Sequence, residues 1–157
     1  MAEKTTAHAS FVLERSYDAP PARVFHAFAD ADAKRRWFHG PAGKWTEISR
    51  AQEFRVGGEE RVSGGFSGGP VSSFHGHYLD IVPDRRIVYA YDMHLDDRKI
   101  SVSLATVEFV PAGRGTQLIF TEQLVYLDGY SDPGGKQREE GSRGLLDNLD
   151  AALRQVS

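Results

Sequence analysis

The sequence contains no cysteine. Disulfides, thiolate metal centres and cysteine nucleophiles are therefore excluded. It also lacks any long apolar run: nothing approaches the ~18 consecutive apolar residues of a membrane-spanning helix. The polar segment Met1 to Ser10 has no apolar stretch of signal-peptide length, so a cytoplasmic location is the expectation. Neither sign of charge dominates. Nineteen Lys and Arg face 22 Asp and Glu, for a net charge of -3. No broad basic field exists to attract nucleic acid or an anionic lipid surface. Several catalytic signatures are missing as well. Arg55-Val56-Gly57-Gly58 has no following Lys-Ser or Lys-Thr and does not open a helix, so it is not a phosphate loop. No serine sits in a nucleophile elbow, and no dinucleotide fingerprint is present. No cofactor is expected.

What is present is an ordinary globular composition. The 157 residues are 40% hydrophobic and 26% charged, which suits one domain over 1–157 with a flexible tail at 1–9. A chain of this length buries roughly 70% of its unfolded surface, enough for a real core. Phe11 to Tyr17 is rich in strand formers. Pro20-Pro21 suits a first helical turn, and Val24, Ala27 and Phe28 recur at helical spacing to about Ala29. A second short helix is expected from about Ala31 to Phe38, with Asp30 or Asp32 as cap. Strands then follow one another: Trp45 to Phe54, Arg55 to Ser63 with a bend at Gly57-Gly58, Val71 to Val82, Arg86 to His94, Lys99 to Val110 and Thr116 to Tyr126. Their short spacing indicates an antiparallel meander. The segment from about Lys136 to Gln155 is helical, with Leu145, Leu149, Ala152, Leu153 and Val156 as its apolar stripe. The meander offers the only large apolar face for that stripe. A curved sheet around one helix leaves a cavity between them.

In order and spacing these pieces resemble a known family. Tyr17-Asp18-Ala19-Pro20 with Val24-Phe25-His26-Ala27-Phe28, Lys34-Arg35-Arg36-Trp37-Phe38 and Arg55-Val56-Gly57-Gly58 carry the first part of the resemblance. Gly76 to Pro83, Arg86-Ile87-Val88-Tyr89, Thr106-Val107-Glu108-Phe109 and Gly115-Thr116-Gln117-Leu118 carry the rest. They resemble bacterial proteins related to the C-terminal domain of the activator of the Hsp90 ATPase. That family lies within the superfamily of START domains, the pollen allergen Bet v 1 and the polyketide cyclases. The resemblance implies an α+β helix-grip fold: a curved antiparallel sheet around a long C-terminal helix, with two short helices after the first strand. Gly144-Leu145 stands where the family often has Gly-Trp, and the smaller side chain should enlarge the cavity.

Several residues could carry chemistry. His75 and His77 are two apart on a strand, hence on one face, with Cα atoms roughly 7 Å apart. Leu79 and Ile81 share their parity, which places the pair on the inner face. Two such imidazoles could bind a divalent metal if a third ligand, Glu122 or His94, reached them. Neither has secure geometry, so no tightly bound metal is expected. Glu122 shares parity with Leu118, Phe120 and Leu124, which points a carboxylate inward, where it could act as acid or base or orient a polar ligand. Trp37 and Phe38 sit at the helix–sheet junction, and Tyr89 and Tyr91 share one strand face. Gly141 and Gly144, inside the last helix, share a face with Asn148 and permit close approach of a sheet or ligand. The expected cavity lining is therefore Trp37, Phe38, His75, His77, Tyr89, Tyr91, Phe120, Glu122, Gly141 and Leu145. The expected function is binding of a small apolar or amphipathic molecule by a monomer or homodimer. A cyclase- or hydrolase-like enzyme using the same cavity is the alternative, and contact with an Hsp90-type chaperone, implied by the family name, is the third.

Overall fold

The computed structural model describes residues 4–155. Chain order is β1 (Thr6–Tyr17), α1 (Pro21–Ala29), α2 (Ala31–Arg35), β2 (Trp45–Gln52), β3 (Glu59–Phe66), β4 (Ser72–Val82), β5 (Arg86–Leu95), β6 (Arg98–Ala112), β7 (Gly115–Leu127), a 3-10 turn Pro133–Gly135, and α3 (Lys136–Gln155). The strands form one curved antiparallel sheet of seven in the order β1-β7-β6-β5-β4-β3-β2. Strands β2 to β7 form the meander, and β1 closes on β7 from the far end of the sequence, with Thr6 opposite Leu127 and Tyr17 opposite Thr116. This is the helix-grip architecture, with α1, α2 and α3 on the concave face.

Local chemistry accounts for the helix boundaries. Pro21 opens α1, where a missing N–H leaves nothing unsatisfied. Asp30 accepts from the Ala33 N–H at 2.9 Å and caps α2. That helix ends at Arg35, so Trp37 and Phe38 lie in the turn beyond it, not on the helix as the spacing suggested. Asp132 caps α3 across the 3-10 turn, accepting from the N–H groups of Gln137 (2.8 Å) and Arg138 (3.1 Å).

Three sequence expectations need correction. Thr6 to Ala9, assigned to a flexible tail, are the first residues of β1 and pair with β7. Gly57-Gly58 does not bend a strand; it is the β2–β3 turn. Gly57 takes φ +85°, a region open to glycine without penalty, and its N–H donates to the Tyr78 carbonyl at 2.8 Å. The stripe of α3 is also displaced. Leu146 and Leu149 are the buried leucines, while Leu145, Ala152 and Leu153 are only partly covered. Val156, expected on that stripe, lies outside the described residues.

The main core joins β1, β6 and β7 to α1 and α3 through Leu13, Val24, Phe28, Val107, Phe109, Leu118 and Leu149. Helix α3 rests on the β1 side of the sheet. There Tyr17 donates to the Leu146 carbonyl at 2.9 Å and Arg15 pairs with Asp147 at 2.6 Å. A smaller cluster of Val62, Phe74 and Tyr91 occupies the concave face of β3 to β5. Trp45 seals its edge over two glycines: a Cβ on Gly40 or Gly64 would sit 2.4 or 2.2 Å from the indole side chain.

Candidate functional site

The concave face of β5 to β7 is set by alternation. Ser101, Ser103, Ala105, Val107 and Phe109 point inward on β6, and every second residue from Thr116 to Tyr126 does so on β7. Register then places Tyr89, Ala105 and Glu122 side by side, with Tyr91 and Ser103 in the next row and Met93, Ser101 and Tyr126 beyond. Ala105 is small, and Glu122 leans across toward β5. It is only 1% exposed. One of its oxygens, Oε2, accepts from Tyr91 (2.7 Å), Ser103 (2.8 Å) and Arg138 (3.2 Å). The other, Oε1, is buried and accepts no hydrogen bond among the described residues.

Arg138 comes from the first turn of α3, which Asp132 orients. Its Nη1 also donates to Tyr91 (3.0 Å) and Ser103 (3.2 Å), and its Nη2 donates to Ser101 (2.7 Å). The guanidinium lies 5.6 Å from the ring centres of both Tyr91 and Tyr126. Burial opposes its charge, but Tyr91, Glu122 and Tyr126 outweigh that and hold it above its ordinary value. Burial, followed by the Glu122 charge, pushes the Tyr91 phenol upward, so it stays a donor at neutral pH.

A second buried node lies on the β3 side. Glu60 Oε1 meets Lys34 Nζ at 2.6 Å and accepts from Tyr78 at 2.6 Å, while Glu60 Oε2 has no partner among the described residues. Gln52 donates to Tyr78 (3.1 Å) and to the Phe28 carbonyl (2.9 Å), tying β2 to α1. Aromatic rings join the two nodes. Phe74 stacks on Tyr91 at 4.6 Å, Phe38 meets Phe74 edge-on at 5.3 Å, and Tyr89 stands 6.0 Å from Tyr91 and 6.3 Å from Tyr78. Burial raises the Tyr89 phenol well above its usual value, with neighbouring Tyr91 and the Glu122 and Glu60 carboxylates adding to it. Phe38, Trp45, Tyr89 and Met93 are all only partly covered, so α3 does not close this half of the concave face.

The residues expected from sequence therefore separate. Phe38, Tyr89, Tyr91 and Glu122 meet at this wall. Trp37 is core: its Nε1 donates to the Ala27 carbonyl at 2.8 Å and its ring packs on Phe28. Phe120 is buried against Phe11. Leu145 packs at the margin of the main core, and Asn148 on the same flank donates to the Trp37 carbonyl at 3.2 Å. Gly141 and Gly144 are exposed, and a Cβ on either would meet nothing within 4 Å, so no close approach of sheet to helix depends on them.

His75 and His77 do not face the concave side of the sheet. Phe74, Gly76 and Tyr78 take the inner positions of β4, which puts the histidines on the convex face. The misreading has a physical source. Tyr78 pairs with Tyr89 but Asp80 pairs with Val88, so Leu79 is an extra residue at a β-bulge. Leu79 is exposed, while Ile81, beyond the bulge, returns to the core side. The third residue beside the histidines is Glu59 on β3, not Glu122 or His94: its Oε1 is 2.9 Å from His75 Nε2 and 3.7 Å from His77 Nδ1.

Sequence reasoning missed Arg138, Ser101, Ser103, Lys34 and Glu60. The serines alternate in step with Ala105 and Val107, and Arg138 stands seven and eleven residues before Leu145 and Leu149, on one helix face. Nothing local in the sequence marks Lys34 and Glu60 as partners.

Residues 18–154 match the family model described as activator of Hsp90 ATPase homolog 1-like protein. Among solved structures, an uncharacterised protein from Rhizobium leguminosarum is 43% identical, with 98% of this chain and 99% of that one covered and a TM-score of 0.91. Mll3558 from Rhizobium loti is also 43% identical, covering 94% and 99%, with a TM-score of 0.85. CV1439 from Chromobacterium violaceum is 28% identical over 90% and 94%, with a TM-score of 0.72. None of the curated proteins compared with the chain matches it. Among the described residues, no helix is long and apolar enough to cross a membrane.

Proposed function

The chain belongs to the activator of Hsp90 ATPase homolog 1-like family, and on that footing we propose that it holds a small, uncharged amphipathic molecule against the aromatic wall of β3 to β6. The fold is one whose members commonly bind hydrophobic ligands. The observation that carries the reading is the second oxygen of Glu122, buried beside a partly covered aromatic surface with no donor among the described residues. A buried acceptor left without a partner costs about 1–3 kcal/mol, and a donor on a ligand recovers that cost. Each carboxylate is already neutralised, Glu122 by Arg138 and Glu60 by Lys34. A neutral hydroxyl on an aromatic or alicyclic body therefore fits better than an ammonium or a carboxylate.

The test compares 2-naphthol with 2-methoxynaphthalene, which has the same body and no donor. Quenching of Trp37 and Trp45 fluorescence reports binding. The expected result is a preference of about tenfold for the naphthol, the equivalent of ~1.4 kcal/mol. Tyr89→Leu, at the partly covered wall, should weaken both probes while leaving the fold intact. Equal affinity for the two probes, no binding of either, or unchanged affinity in the folded Tyr89→Leu variant refutes the reading.

A further inference from the structure

We propose that Glu59, His75 and His77 form a divalent-metal site of the zinc class on the convex face of the sheet, with at least one coordination position open to solvent. The site is independent of the ligand proposed at the aromatic wall, because it lies on the other side of the sheet.

The geometry follows from strand pairing. His75 and His77 alternate on β4 and both point outward ahead of the Leu79 bulge. On β3, Glu59 is the cross-strand partner of His77, and Arg61 is that of His75. One donor atom from each of Glu59, His75 and His77 can be chosen so that all lie within 4.8 Å of one another. Zinc bound at 2.0–2.2 Å by tetrahedral nitrogen and oxygen ligands separates its donors by roughly 3.3 Å. The observed 2.9 Å from Glu59 to His75 and 3.7 Å from Glu59 to His77 lie on either side of that value. The side chains are 24%, 46% and 42% exposed for His75, His77 and Glu59, so small rotations can bring the three donors onto one ion. A single carboxylate oxygen faces both imidazoles, yet only His75 is within hydrogen-bond distance of it. One cation between the three would engage both rings.

Donor chemistry sets the class of ion. Two imidazoles and one carboxylate form the ligand set of open zinc sites and of non-haem iron. Calcium and magnesium, which prefer all-oxygen shells, do not fit. The surrounding charges are mixed. Arg61 Nη2 stands 3.7 Å from Glu59 Oε1 but is 58% exposed and can swing away. Asp92, the cross-strand neighbour of His75 on β5, adds negative charge and pairs with Lys99 at 3.4 Å. Backbone pairing of β4 on both sides fixes the two histidines relative to Glu59. Bound there, the ion would clamp β3 to β4 directly behind Glu60.

The experiment uses the tag-free 157-residue chain stripped with chelator and titrated with ZnCl2 by calorimetry near neutral pH. One ion per chain is expected, with Zn2+ raising Tm. His77→Ala and His75→Ala should each weaken binding by ~10–100-fold or more and abolish the Tm shift. His94→Ala, outside the site, should change neither. Mild acid should release the ion, since imidazole binds metal only when deprotonated. Apo His77→Ala should melt with the wild type, because that side chain is exposed, and apo His75→Ala, which loses a part-buried hydrogen bond to Glu59, should melt slightly lower. Should a variant fail to fold, wild-type protein loaded with Co2+ decides the matter: tetrahedral visible bands displaced by Zn2+ support the site, and their absence overturns it. Wild-type affinity no greater than that of a folded His77→Ala variant, or equal loss in His94→Ala, also overturns it.

Discussion

Arg138→Met removes the charge that faces a buried carboxylate and keeps an unbranched side chain of similar length. Glu122 is 1% exposed, and the Arg138 side chain is 13% exposed. Removing one partner of a buried ion pair costs about 3–5 kcal/mol, because the other charge is left uncompensated. Here Tyr91 and Ser103 still donate to Glu122 Oε2, which places the expectation near the lower end, ~3 kcal/mol. Glu122→Gln in the same chain removes the stranded charge and preserves an acceptor for those two hydroxyls. The double variant should therefore return to within ~1 kcal/mol of wild type, recovering about 2 kcal/mol of the stability that Arg138→Met alone loses. Urea unfolding followed by tryptophan fluorescence measures all four chains, and unchanged slopes license the comparison. If Arg138→Met alone costs less than ~1 kcal/mol, or if the double variant is no more stable than the single, Glu122 and Arg138 do not act as a buried pair.

Two further perturbations test the frame that holds this site. Burial works against the Asp132 charge, but the Tyr126 hydroxyl and the N–H groups of Gln137 and Arg138 hold its carboxyl below the usual range. A folded value below the unfolded one gives stabilisation that is present above the ordinary carboxylate range and lost as pH falls through the folded value. Asp132→Ala should therefore cost ~1 kcal/mol at neutral pH, with the gap to wild type narrowing in acid; urea midpoints that differ equally at every pH refute this. Leu149, fully buried on α3, should cost ~2–5 kcal/mol when replaced by alanine. A loss under about half a kcal/mol would mean that α3 presents another face to the sheet.

The order of elements was legible because each strand is bounded by turn residues and α3 carries a clear stripe. Within elements, legibility followed regularity. From Thr116 to Tyr126 strand β7 pairs with both neighbours without interruption, so the parity that pointed Glu122 inward holds along that length. The single extra residue Leu79 in β4 reverses parity, and no local signal in the sequence marks it. On α3, Leu145 and Leu146 straddle the packed face, and which one is buried depends on where the helix lies over β1, a tertiary fact. Arg138 lies on the same face, but a long cationic side chain on a polar helix reads as solvated until its partners on β5, β6 and β7 are known. The Lys34–Glu60 pair is likewise joined only by tertiary contact, across 26 residues of chain.

The pairing of the first strand with the last has a consequence for how the chain acquires its structure. Strand β1 gains no neighbour in the sheet until β7 exists, and contacts such as Ser16 with Gln117 close a separation of 101 residues. Loops of that length give high contact order, and such topologies fold in milliseconds to seconds where local ones take microseconds. On the ribosome the wait is longer. At ~5–20 residues per second, roughly 5–22 s separate the emergence of Tyr17 from that of Leu127. Throughout that interval Phe11, Val12 and Leu13 belong to an unpaired segment of high β-propensity, exposed to every other nascent chain nearby. The same closure that gives the finished sheet its grip on α3 makes its opening strand the one most in need of protection during synthesis.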